Sequence, residues 1–340
     1  MKLVETEDPP GALERGLASF DLAGVRAVGH RVVHGGELYR RSVEIDADVA
    51  TALEGLAGLA PLHNPPAIAT IVRARKLLPN APHVAVFDTG FFAELPPRAY
   101  VYPLPYEWHA DWGVRRFGFH GISHAYCANR AQELLGEARK DLRVVVCHLG
   151  QGCSASAVRG GKARATTMGF TPMEGLMMAS RSGSVDPGIL LHVLRRGVGV
   201  EELDAALNRR SGLLGVSGVS SDYRKVEAAA RQGNERARLA LEIYADRVRE
   251  TVGGLAATLG GLDAIVFTAG VGENSASLRA SVCEGLEFIG LNLDRARNEI
   301  GEPDSDVATT DSPGRILVIH TRENLMIARE ARRVALSSAP

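Results

Sequence analysis

Arg31 and Arg181 occupy positions where a charge is costly. Arg31 lies inside the apolar run VRAVGHRVVH (Val25 to His34), and Arg181 lies in ASRSGSVDPG, a turn-rich stretch with no helical face to solvate it. A guanidinium grips phosphate or carboxylate through paired parallel hydrogen bonds, so both positions suit an anion site. Buried structural ion pairs are the competing reading. Asp88 ends the apolar run HVAVFD. A carboxylate there calls for a facing cation such as Mg²⁺ or a cluster of donors, unless it is a plain turn aspartate.

Three glycine-rich segments follow valine-rich runs: GHRVVHGG (Gly29 to Gly36), HLGQG (His148 to Gly152) and TAGVGEN (Thr268 to Asn274). Glycine leaves no Cβ in the way, so such loops bring backbone N–H groups close to phosphate or ribose. One alone is ordinary punctuation, whereas three at strand ends favour a nucleotide. His120 and His124 in RRFGFHGISH stand four apart, a spacing compatible with two metal ligands on one helical face. Zinc is rejected: Gly118 and Gly121 disfavour a regular helix through His120, and the sequence has no HExxH pattern or cysteine partner. A histidine also serves as a plain donor to an anion. For His30, His34 and His63, packed-core histidine is the default.

The elements that must hold these residues are legible as patterns. Val25 to His34, His83 to Asp88, Arg143 to Gly150 and Asp263 to Gly270 read as buried strands. Leu241, Tyr244, Ala245, Val248, Val252, Leu255 and Leu259 recur at helical spacing, predicting one long amphipathic helix that feeds the strand DAIVFTAG, a glycine turn and a further helix from Ser275. That order is an α/β crossover, with parallel strands inside, helices outside, and ligands at strand C-termini. CSASAVRGGKARATTMG reads instead as an antiparallel hairpin turning at Gly160 and Gly161.

Composition sets the outer bounds. With 340 residues, 45% of them hydrophobic and 23% charged, the chain can bury a large core and divides naturally into two domains. A formal net charge of −1 supplies no global field for nucleic acid or an anionic membrane, so any anion is bound locally. Cys127, Cys147, Cys153 and Cys283 form no CxxC pair and read as reduced buried thiols of a cytoplasmic protein. The opening MKLVETEDPP lacks an apolar core, and no run of about 18 apolar residues occurs, so neither an export signal nor a membrane span is expected.

The ordered motifs GHRVVHGGE, LAPLHNPP, VFDTGFF, RRFGFHGISH, HLGQG, TTMGFTPMEGLMMASRSG, SGLLGVSGVSSDYR and FTAGVGENSASLR, from about residue 25 onward, resemble the acetate kinase family. The resemblance implies an α/β, two-domain actin-like ATPase (ribonuclease H-like) fold with mixed sheets flanked by helices. Residues 1–90 plus 322–340 would form the N-terminal, acyl and phosphate domain, and 91–321 the nucleotide domain. It implies that Arg31 and Arg181 line the acyl and phosphoryl site, that Asp88 is its essential carboxylate and that His120 stabilises the transferring phosphoryl. His63 and His148 match further active-site histidines. HLGQG brings Gly150, Gln151 and Gly152 to the nucleotide. Asp222, Tyr223 and Arg224 match an adenine-contacting stretch, and Gly270, Val271, Gly272 and Asn274 match the adenosine loop. Glu323 matches a magnesium-associated glutamate. The implied reaction is reversible transfer of the γ-phosphoryl of ATP to acetate, giving acetyl phosphate and ADP, with Mg²⁺ (or Mn²⁺) and in a homodimer. Nucleic acid and membrane are not expected partners. Such a transfer asks mainly for positioning and charge stabilisation, and an ionised carboxylate needs no general base.

The departures from the family pattern also carry expectations. The family opens with a strand and an NAGSSS-type phosphate loop, and nothing like it precedes Val25, so the N-terminal domain is expected to be incomplete. Gln151 replaces the usual asparagine, Phe92 a histidine, and Arg322 and Asn324 an asparagine and a glutamate. The alternatives are an inactive nucleotide-binding homologue and a kinase preferring propionate or butyrate.

Overall fold

The computed structural model describes residues 8–18, 22–56, 64–136 and 140–337. Among the described residues the strands are β1 (Val28–Val32), β2 (Val43–Glu44), β3 (His83–Phe87), β4 (Arg143–Leu149), β5 (Cys153–Arg159), β6 (Lys162–Thr166), β7 (Ala264–Thr268), β8 (Ser305–Asp306) and β9 (Arg315–Val318). The chain divides into two compact units, the first comprising Met1–Ala93, Phe119–Ile122 and Arg322–Pro340, the second Glu94–Gly118 and Ser123–Thr321. Phe119–Ile122, in the middle of the RRFGFHGISH motif, thus belongs with the first unit although its neighbours belong with the second.

The first unit holds a three-stranded sheet in the order β1-β3-β2, with β1 parallel and β2 antiparallel to β3. Every residue of β3 is buried, as expected of a strand covered on both faces. The two-residue period of a strand sorts them. Ala85 and Phe87 join Val32, Leu53 and Ile71 in one core, whereas Val84 and Val86 pack with Ile122, Ala331 and Val334 in another. The second core belongs to the helix Glu323–Ser337. By the same alternation Arg31, beside Val32, faces that helix rather than the first core.

The second unit holds a six-stranded mixed sheet in the order β6-β5-β4-β7-β9-β8, in which β4, β7 and β9 are parallel. The hairpin expected around Gly160 and Gly161 is β5–β6, antiparallel. The long helix runs from Glu235 to Leu259 behind an Asn234 cap, and Tyr244, Ala245, Val248, Val252, Leu255 and Leu259 form its buried stripe against the β4–β5 part of the sheet. All four cysteines are buried and free. Among the described residues no helix is long and apolar enough to cross a membrane.

Candidate functional site

In the first unit the strand register pairs Arg31 with Val86 and Val32 with Phe87, which sets Asp88 just beyond the end of β1. Arg31 holds Asp88 through a fork: Nε donates to Oδ1 at 3.0 Å and Nη2 to Oδ2 at 2.7 Å. Asp88 is 1% exposed. Glu323, at the start of the helix covering this face, brings Oε2 to 3.8 Å from Arg31 Nη1. One guanidinium therefore stands between two carboxylates. Asp88 pushes the Arg31 pKa further up, so its charge is permanent. Burial raises the Glu323 carboxyl, the Asp88 charge adds to that rise, and Arg31 opposes it. The ion-pair reading of Arg31 and the donor-cluster reading of Asp88 thus describe the same contact.

The backbone around His120 is fixed beside that of Asp88, because Gly121 N donates to the Asp88 carbonyl at 2.9 Å. His120 itself has φ of 59°, a left-handed conformation that side chains rarely adopt, and the helix Gly121–Leu135 begins only after it. The two glycines around His120 do keep it out of a helix. His124, one turn into that helix, lies in the second unit and is fully buried between the hydroxyls of Ser154 and Ser156, each at 2.7 Å. Burial drives its pKa well down. It is a satisfied core histidine, and among the described residues no group of three or more potential metal-ligating side chains converges. His30 is likewise buried, stacked on His83 with Nε2 2.9 Å from His83 Nδ1. His63 lies outside the described residues.

The second unit contains a cleft of about 740 Å³ where the segments HLGQG, SSDYR and TAGVGEN meet. Gly150, Gln151, Asp222, Tyr223, Arg224, Gly270, Val271 and Asn274 all line it. Each sits where its element ends. Gly150 and Gln151 follow β4, and Gly270 to Asn274 follow β7. Asp222 caps the helix Tyr223–Arg231, accepting from Arg224 N at 3.0 Å, while Arg224 Nη2 donates to the same carboxylate at 2.7 Å. That bond to Arg224 holds the Asp222 pKa down. Tyr223 packs edge-on against Tyr244, and burial raises its hydroxyl to about 12. Gly152 and Gly272, both expected at the nucleotide, do not line the cleft. Gly152 accepts from Gly150 N and closes the loop, and Gly272 is buried with its carbonyl taken by Arg279.

TAGVGEN is not the glycine turn that its composition suggests but a short helix, Ala269–Asn274. Ala269 enters it at φ of 66°. Glu273 stabilises the turn: Oε1 accepts from Ala269 N at 2.8 Å and Thr321 N at 3.2 Å, and Oε2 lies 2.6 Å from His320 Nδ1. Arg279, 1% exposed, donates to the carbonyls of Gly272 and Glu273 and to Asn298. Sequence reasoning missed Glu273 and Arg279, although a glutamate inside a glycine loop was a visible signal for the first.

Arg181 belongs to the second unit, half-buried, with Nη1 donating to the Pro172 carbonyl at 3.3 Å and its pKa lowered by burial. The loop before it is tied to HLGQG by Ala179 N donating to the Gln151 carbonyl at 3.2 Å. His148, near the end of β4, places Nδ1 2.8 Å from Ser123 Oγ.

Comparison with known proteins places these arrangements in context. Residues 13–329 match the model of the acetokinase family. The acetate kinase of Gloeobacter violaceus is 55% identical over 312 residues, covering 91% of this chain and 77% of that protein. The crystal structure of Porphyromonas gingivalis acetate kinase superposes with a TM-score of 0.90 at 42% identity, over 96% of this chain and 84% of its own. A propionate kinase from Francisella tularensis superposes with a TM-score of 0.89 at 39% identity, over 95% of this chain and 83% of its own.

Proposed function

The chain belongs to the acetokinase family, and from that premise we infer that it transfers the γ-phosphoryl group of ATP to acetate, reversibly, giving acetyl phosphate and ADP. The observation that carries the reading is the cleft in the second unit, where segments distant in sequence meet beyond the ends of β4 and β7 beside a capped Asp222–Tyr223–Arg224 stretch, the place where such a sheet binds a nucleotide. Its α/β architecture, two mixed sheets flanked by helices, is that of the actin-like ATPases.

In this reading the first unit handles the acyl and phosphoryl end. An acetate oxygen, already ionised, attacks the γ-phosphorus; the new P–O bond forms as the bond to the β-phosphate oxygen breaks, and ADP leaves with that electron pair. The fixed charge of Arg31, held in orientation by Asp88, and the donor His120 stabilise the equatorial oxygens as charge develops. Arg181, whose loop is tied to HLGQG, adds its charge at the transferring phosphoryl group, and His148, the first residue of HLGQG, serves the phosphate chain.

Mg²⁺ fits the residues present. Asp88 and Glu323 are hard oxygen donors that flank a single guanidinium, and the Asp88 charge is felt at Glu323. Asp88 and Glu323 would hold it, and so few protein ligands suit an ion that is usually bound by one or two carboxylates. When bound, Mg²⁺ neutralises phosphate charge and polarises the transferring group. A homodimer in the cytoplasm completes the reading, supported by the family resemblance.

Acetate is preferred over propionate only modestly, because one methylene in an apolar pocket discriminates by about 1–3 kcal/mol; the resemblance to a propionate kinase supports this. The test is hydroxylamine trapping of acyl phosphate with ATP, Mg²⁺ and either acid. Acetyl hydroxamate formation with a smaller propionyl signal is expected. Tight ADP binding with no hydroxamate from any acid would overturn the kinase reading in favour of a nucleotide-binding homologue.

A further inference from the structure

His148 is held from behind. Its Nδ1 lies 2.8 Å from Ser123 Oγ, and Ser123 Oγ lies 2.9 Å from Thr321 Oγ1. Ser123 is fully buried and His148 is 9% exposed. Thr321 is fixed in turn, since its backbone N–H donates to Glu273 at 3.2 Å. On the other side of the ring, a Cβ built on Gly150 would stand 3.8 Å from His148 Nε2, so Nε2 borders the HLGQG loop. The imidazole therefore turns one nitrogen to the Ser123 hydroxyl, itself bonded to that of Thr321, and the other to the glycine loop.

A neutral imidazole carries one proton, and the partner of one nitrogen decides which nitrogen has it. If Ser123 donates to Nδ1, Nε2 keeps its hydrogen and faces the loop as a donor. If Nδ1 donates to Ser123, Nε2 presents a lone pair, which repels a phosphate oxygen. Either direction can run along the chain, but only with Thr321 Oγ1–H donating to Ser123 Oγ and Ser123 Oγ–H donating to His148 Nδ1 is Nε2 left as a donor for a phosphate oxygen.

We propose that Ser123 and Thr321 are positioning residues that hold His148 as the Nε2–H tautomer, so that a neutral imidazole donates to a phosphate oxygen at HLGQG. The proposal rests on the reading of that loop as part of the nucleotide site. It assigns the two hydroxyls no contact with substrate; they act through the ring.

The test uses the full chain labelled with ¹⁵N-histidine, with tautomers read from long-range ¹H–¹⁵N correlations and His148 assigned by its loss in His148→Gln. The nucleotide-free protein should show His148 with the proton on Nε2. Ser123→Ala and Thr321→Val should shift it to a mixture of tautomers and lower kcat roughly tenfold, the equivalent of about 1.4 kcal/mol for one hydrogen bond, with the acetate KM unchanged. Thr321→Ser, which keeps the hydroxyl, should restore both. Thr321 is half-buried and valine matches its shape, so that variant remains decisive should Ser123→Ala fail to fold. A His148 that keeps the Nε2 proton in Thr321→Val, or an unchanged kcat there, overturns the proposal. The tautomer is read without turnover, so an inactive wild type would count against the kinase reading and leave this result standing.

Discussion

Gly121→Ala is expected to damage both the first unit's stability and its chemistry. A Cβ at Gly121 would stand 2.0 Å from the Asp88 carbonyl oxygen and 2.9 Å from Phe91 Cβ, whereas ordinary contact begins at 3.4 Å. Relief requires the RFGFHG loop to retreat by roughly 1 Å or more from a backbone atom that no rotamer change can move. That retreat breaks the 2.9 Å bond from Gly121 N to Asp88. Losing the bond costs about 1 kcal/mol and the overpacking about 1–3 kcal/mol. At about 4 °C per kcal/mol for a unit near 100 residues, Tm should fall by roughly 10 °C. The clash involves the carbonyl of Asp88 and the residue after His120, so both proposed catalytic groups shift with it. A 1 Å misplacement carries a loss on the order of a hundredfold in kcat.

Gly90→Ala supplies the matched control. Its Cβ would meet the Arg40 carbonyl at 3.8 Å and Phe87 Cβ at 4.0 Å, ordinary contacts, and it would open the short 3₁₀ turn Gly90–Phe92. It should leave kcat within about twofold and raise stability by up to about 0.4–1 kcal/mol, because alanine restricts the unfolded chain. Differential scanning calorimetry and the hydroxamate assay at 25 °C measure both variants. A Gly121→Ala protein matching Gly90→Ala in Tm and kcat would refute the reasoning. A lowered Tm with unchanged kcat would separate the packing from the placement of His120.

Arg181→Ala should lower turnover at least a hundredfold, on the scale of about 2.7 kcal/mol for one charge-stabilising donor, and steady-state kinetics with an unchanged rate would remove it from the mechanism. Arg279→Met should destabilise the second unit by about 3 kcal/mol in denaturant unfolding, because it strands the carbonyls of Gly272 and Glu273 and the Asn298 side chain inside the protein; a change under about 1 kcal/mol would contradict the bracing role. His30 is held neutral by burial, helped by His83 and Arg75, and its pKa falls from 6.5 to about 4. The stability it contributes is present above pH 6.5 and is lost as pH falls from there through about 4, so His30→Gln should flatten the acid arm of a Tm-against-pH curve over that window.

Much of the fold was legible because its signals are periodic. The alternation that buries β3 on both faces and the stripe from Tyr244 to Leu259 are intrinsic to the residues. Arg31 and Asp88 stood out because charge inside an apolar run demands a partner; the sequence suggested their types but not that each is the other's partner. That pairing depends on register, which places the end of β1 beside the end of β3 and is set by long-range contacts that no local window contains.

TAGVGEN marks the boundary of what local composition conveys. Its glycines suggest a turn, yet the segment is a helix because Glu273 holds the amide of Ala269 and Arg279 takes the carbonyls at the far end. Ala269 accepts a φ of 66° where glycine would be the easy choice, so the strain is met by a carboxylate rather than by sequence permissiveness. Gly272 is buried against β7 and does not line the cleft. The residues that shape the loop are therefore not the ones that line the cleft. A glycine pattern identifies the segment that approaches the ligand; of the groups that hold it, Glu273 lies within the motif, while Thr321 and Arg279 lie outside it and become visible only when the chain has folded around it.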